Sequence, residues 1–98
     1  MTVHVLALTV ELRVPGAQSL KDKRAVVKTV LDGARRRYQV AAAETGHHDK
    51  WQRAEVGFAA VSGSYRHLEQ VVDEIERFVW SFPEIEVIGS ERRWVETS

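Results

Sequence analysis

Between Ser19 and Tyr38 the residues Leu20, Val27, Val30, Leu31, Ala34 and Tyr38 recur at helical spacing and form one apolar seam. Ser19 is a suitable N-cap for this helix, and Gly33 reads as a mild weakness inside it. A helix with a single apolar seam has to bury it against another layer, and the flanking segments offer strands for that purpose.

Residues 2–14 alternate. His4, Leu6, Leu8, Val10, Leu12 and Val14 share one side, while Val3, Val5, Ala7, Thr9, Glu11 and Arg13 share the other. This predicts a half-buried strand with the even set facing the core, ended by Pro15-Gly16. Residues 39–45 form a short strand of small side chains, 46–53 a polar connection, and 54–62 a strand with Val56, Phe58 and Ala60 on one face. From Tyr65 to Phe82, Leu68, Val71, Val72, Ile75, Phe78, Val79 and Phe82 make a full amphipathic stripe that Pro83 ends. A last strand covers Ile85 to Val95, with Gly89 as a bulge or bend.

The order β-α-β-β-α-β, with a central hairpin and two crossovers, predicts one ferredoxin-like α+β domain over residues 1–98. Its two helices would cover one face of a four-stranded antiparallel sheet. Such a chain is long enough for a modest core.

Fourteen Lys and Arg balance fourteen Asp and Glu, so net charge names no partner. The distribution is more telling. The first helix carries seven basic residues against two acidic ones, the second two against four. There are no cysteines, which excludes disulfides and thiolate chemistry and suits a cytoplasmic protein. The alternating N-terminus, broken by His4 and Glu11, does not read as a signal peptide or a membrane span.

Lys21, Arg24, Lys28 and Arg35 fall in a narrow angular range beside the apolar seam, and Lys23 joins Lys21 and Arg24 in the first two turns. Cations oppose the dipole there, so either they are solvated at small cost or they serve an anion, which free helix N–H groups also attract. The Arg35-Arg36-Arg37 run is explained by the helix C-terminus alone, and only Arg35 continues the stripe. Trp51, between Lys50 and Arg53, is either a plug over the core or an exposed stacking residue suited to RNA. Glu44, His47, His48 and Asp49 invite a metal or acid–base reading, but adjacent histidines rarely share an ion and a polar hairpin loop explains them. Trp80 and Trp94 receive no ligand, and no cofactor is implied.

The open face of the sheet would present Val3, Val5, Ala7, Gly57, Ala59 and Val61. It lacks the aromatic residues on which an RNA-recognition motif stacks bases, so RNA is not expected on that face. A small apolar face suggests self-association instead.

Ser19-Leu20-Lys21, Lys23-Arg24, Ala43-Glu44, and His47 through Asp49 with Trp51, Gln52, Arg53 and Ala54 resemble the YlxP-like family of small bacterial proteins, whose domain has no assigned function. Gly46 and His48 depart from that pattern, where Asp and Gln are more typical. The resemblance covers nearly the whole chain and implies a ferredoxin-like fold. It supplies no activity. Genes of that family often lie beside those of translation-initiation and ribosome-maturation factors, which implies association with RNA or the ribosome.

The leading expectation is a non-enzymatic module for structured RNA or ribosomal particles. Lys21, Lys23, Arg24, Lys28 and Arg35 would contact phosphates, with Trp51 and Arg53 secondary. The second is a homo-oligomer using its sheet face, with a small anion at the start of the first helix. The third is an enzyme or metal protein using Glu44, His47, His48 and Asp49.

Overall fold

The computed structural model describes residues 2–95. The elements are β1 (His4–Arg13), α1 (Leu20–Tyr38), β2 (Ala41–Gly46), β3 (Arg53–Ser62), α2 (Tyr65–Trp80) and β4 (Glu86–Val95). The strands lie in the order β2-β3-β1-β4 with every neighbouring pair antiparallel, and the two helices lie on one face. This is the ferredoxin-like α+β arrangement that the alternation of periods predicts.

The core is where the two periodicities meet. Leu6, Leu8, Val10 and Leu12 of β1 and Ala54, Val56, Phe58 and Ala60 of β3 pack beneath Val27, Val30, Leu31 and Ala34 of α1. Leu68, Val72, Ile75 and Val79 of α2 complete it. His4 is the exception in the even set of β1. It is half-buried at the sheet end, where its ring stacks on Tyr65 with centroids 3.8 Å apart.

Both helices begin on serine caps. The Ser19 hydroxyl accepts the Asp22 N–H at 3.0 Å, and the Ser64 hydroxyl accepts the His67 N–H at 3.2 Å. Boundaries shift for local reasons. Gln39 adopts the left-handed conformation that caps α1, so β2 starts at Ala41 rather than 39. Helix α2 ends at Trp80, two residues before Phe82, because the residue preceding Pro83 is driven out of the helical region. The irregularity expected at Gly89 is a bulge at its neighbour: Leu12 pairs with Val87 and Glu11 with Gly89, leaving Ile88 without an opposite residue.

Gly33 is not simply a weakness of α1. A Cβ there would lie 2.5 Å from Cζ of Phe78, so the glycine gives the α2 aromatic its place against α1. Phe78 in turn meets Tyr38 and Phe82 edge to face, and the Arg37 guanidinium lies 4.8 Å from its centroid.

Both sheet edges carry features that disfavour a further strand. Arg35 donates to the Ala42 carbonyl on the outer strand β2. Strand β4 carries the bulge and the charged run Glu91-Arg92-Arg93, with Arg92 held by Asp73 at 2.6 Å and Glu76 at 3.0 Å.

Candidate functional site

The apolar seam of α1 runs i, i+3, i+4 through Val27, Val30, Leu31 and Ala34, and its continuation toward the N-terminus falls on Lys23. Lys23 is accordingly the one fully buried charged side chain among the described residues. Its ammonium donates to Glu44 Oε2 at 2.9 Å, to the His47 carbonyl at 2.8 Å and to the His48 carbonyl at 3.4 Å. Three donors meet three acceptors, which is what a buried ammonium requires. Glu44 reaches it because it pairs with Val56, so both share the helix-facing side of the sheet. Lys23 is therefore no phosphate contact: it is consumed inside the fold.

The connection from His47 to Gln52 is held at both ends. His47 has φ 58°, a left-handed backbone that is uncommon for a non-glycine residue. Lys23 grips its carbonyl, and its ring Nε2 donates to Glu11 Oε1 at 3.0 Å. His48 Nε2 donates to the Glu44 carbonyl at 3.1 Å. At the far end the Gln52 amide donates to the Pro15 and Ala17 carbonyls, each at 3.1 Å, and its own carbonyl accepts the Val14 N–H at 2.9 Å. Between the two clamps Asp49, Lys50 and Trp51 are exposed, Trp51 by 56%. Trp51 does not plug the core.

The loop thus packs against the residues that lead into α1 and against its first turns. Lys21 and Arg24, in those turns, are exposed and have no ion-pair or hydrogen-bond partner among the described residues. Lys28 and Arg35 share one carboxylate, with Asp32 oxygens at 2.6 and 3.0 Å. Lys28, hydrogen-bonded to it, is the main cause that holds Asp32 below its ordinary value. Arg35 is also committed to the edge of β2. The basic stripe is therefore freest at its N-terminal end.

Arg53 belongs to a different surface. It donates to Glu11 Oε2 at 2.7 Å on the open face of the sheet, while its buried Nε has no partner. It does not join the stripe on α1. The Arg53 guanidinium first, and the His47 ring after it, hold the Glu11 carboxyl below its ordinary value of 4.5. A carboxylate depressed in the folded state stabilises the fold above its unfolded pKa and loses that contribution as pH falls through its folded one. The stability gap between the protein and Glu11→Gln is therefore expected to be present at neutral pH and to close below 4.5, read from urea unfolding across pH.

The four polar loop residues do not converge. Glu44 faces Lys23, the His47 ring faces Glu11, His48 turns back on the backbone, and Asp49 is exposed. No group of three or more His, Cys, Asp or Glu among the described residues is placed to share a metal ion. No helix among them is long and apolar enough to cross a membrane.

The family described as "Protein of unknown function (DUF503)" matches residues 5–92. The chain belongs to this family. A DUF503 relative, "Uncharacterized protein YlxP" of Bacillus subtilis (strain 168), is 41% identical over 78 residues, which covers 80% of this chain and 85% of the relative. Among solved structures, the de novo designed protein Foldit4 superposes with a TM-score of 0.53 at 18% identity, covering 96% of this chain and 99% of that one. That likeness concerns the fold alone. A REP-associated tyrosine transposase bound to a REP hairpin is similar only at a TM-score of 0.45 and 9% identity, over 97% of this chain and 58% of that one.

The residues that carry the DUF503 resemblance divide into two groups. Ser19, Lys23, Glu44, His47, His48 and Gln52 bond within the protein, on the cap and the loop clamps, while Arg53 pairs with Glu11 on the open sheet face. Lys21, Arg24, Asp49 and Trp51 are exposed with no such bond among the described residues. The first group builds the surface that the second presents. The signal for this was legible in the seam of α1, where a core position between Leu20 and Val27 is filled by lysine.

Proposed function

We propose that this DUF503 protein is a non-enzymatic RNA-binding module for structured RNA, of ribosomal origin in the first instance. Lys21, Arg24 and Lys28 contact phosphates, and Trp51 stacks on a base exposed in a loop or bulge. The observation that carries the reading is the exposed Asp49-Lys50-Trp51 tip, clamped at both ends against the chain that opens α1, where two unpaired cations stand. An aromatic held beside cations can serve a nucleotide through its ring and its phosphate together. Arg35 serves the edge of β2 instead, and Arg53 the open sheet face. Binding to ribosomal RNA stem-loops, measured across a salt series, tests this. Trp51→Ala should weaken binding by about 1–3 kcal/mol and leave the salt slope unchanged, because stacking releases no counterions. An unchanged affinity, or no binding by the wild type at low salt, refutes the reading.

A second reading rests on the open sheet face. Val3, Val61 and Val95 are exposed by 52, 67 and 48% around the small residues Ala7, Gly57, Ala59, Ala41 and Ala43. Such a small apolar face suits a second copy laid face to face. Arg93 and Glu91 stand two residues apart on it and pair with each other at 3.0 Å, so they leave no uncompensated charge against a second copy. Sedimentation should give a dimer that Val61→Lys dissociates; a monomer at every concentration removes this reading.

A further inference from the structure

A buried lysine whose ammonium binds a side chain and two carbonyls of a loop does more than balance a charge. We infer that Lys23 is a positioning residue for ligand recognition by the loop from His47 to Gln52: it fixes the angle at which Trp51 is offered to a base. The inference rests on the RNA reading of the same surface and adds the device that organises it. Three features support it. First, two of the three acceptors of Lys23 are backbone carbonyls of the loop itself, at 2.8 and 3.4 Å. Second, the residue so gripped, His47, sits at φ 58°, a conformation uncommon for a non-glycine residue. Third, its ring is held from the other side of the sheet by Glu11 at 3.0 Å, so one residue is pinned through both its carbonyl and its side chain.

The pinning supports three consecutive exposed residues, Asp49, Lys50 and Trp51. Lys50 keeps a backbone bond to the His47 carbonyl at 3.1 Å, so the turn bearing Trp51 is built on the oxygen that Lys23 holds. A preorganised stacking residue does not lose loop entropy on binding, and that saving appears as affinity. Loss of the grip would leave Trp51 present but unaimed.

The test separates aiming from mere stability. Lys23→Met alone leaves Glu44 buried without its cation, so the decisive form is the double variant Lys23→Met/Glu44→Leu, in which an apolar pair replaces the ion pair. Its unfolding free energy is expected to return near wild type. The Lys50 amide, which reports the turn, is nevertheless expected to exchange at least tenfold faster, and affinity for a ribosomal RNA stem-loop to fall about tenfold. Gln52→Ala removes the side-chain bonds to the Pro15 and Ala17 carbonyls while keeping the backbone carbonyl that accepts the Val14 N–H, and a fall in affinity is expected there also. If the double variant regains stability, slow exchange and affinity together, Lys23 is only structural and the inference is overturned. If exchange quickens while affinity holds, aiming is again refuted. If the loop loosens as expected but the wild type binds no RNA, the RNA reading fails and takes this inference with it, while the clamp itself stands.

Discussion

Glu44→Ala is expected to lower the unfolding free energy by about 3–5 kcal/mol, a cost ordinarily reserved for a large core side chain. The reason lies across the interface. Lys23 has no exposed surface, and Glu44 Oε2 is the only carboxylate among its three acceptors. Deleting it leaves an ammonium with two carbonyls and no counter-charge, in a place that water reaches only if the loop opens. Glu44→Gln keeps an acceptor of the same shape and should lose less than alanine does. Lys28→Ala on the same helix is the control: its pair with Asp32 is as short, at 2.6 Å, but its side chain is 76% exposed. Surface pairs of that kind contribute about 0–1 kcal/mol. Urea unfolding of the three variants checks the contrast. A loss at Glu44 no larger than at Lys28 would mean that Lys23 rehydrates easily and that the loop is not clamped.

The contrast also shows how much of this protein is written in its pattern. Alternation over residues 2–14 and the stripe from Leu68 to Val79 suffice for β1 and α2, because long periodic segments leave few alternatives. The ends of β2 were harder, since Gln39 caps α1 without being a glycine and small alanines carry little strand signal. Charge alone misplaced Lys23 on the surface. Its position on the seam, and Glu44 alternating onto the core side of β2, contain the ion pair, but each is visible only when the two elements are set against each other. Arg53 takes the open sheet face beside Glu11, which its adjacency to Trp51 in sequence does not reveal. Trp51 itself was undecidable between core and surface until the clamps around it were known, because they depend on contacts with residues 14–17 and 23.

Reversing the three cations on the N-terminal part of α1, Lys21→Glu with Arg24→Glu and Lys28→Glu, is expected to abolish RNA binding while leaving the fold intact. Each phosphate contact contributes roughly 0.7–0.9 to the slope of log affinity against log salt, so three lost contacts flatten it by about 2–3. Repulsion from three new carboxylates adds to this, and at about 0.1 M salt a loss of at least 100-fold is expected. Stability moves differently. Lys21 and Arg24 oppose the helix dipole in the first two turns, so glutamates there should stabilise α1 by roughly 0.3–1 kcal/mol each. Lys28→Glu removes the bridge to Asp32 and, with Arg24→Glu, puts like charges four residues apart at positions 24 and 28 and at 28 and 32, each costing about 0.2–0.5 kcal/mol. The net change in unfolding free energy is then close to zero or favourable. Lost binding with retained or raised stability places recognition on these side chains, because a damaged fold would have lost both. Retained binding with the wild-type salt slope would move any RNA contact off α1.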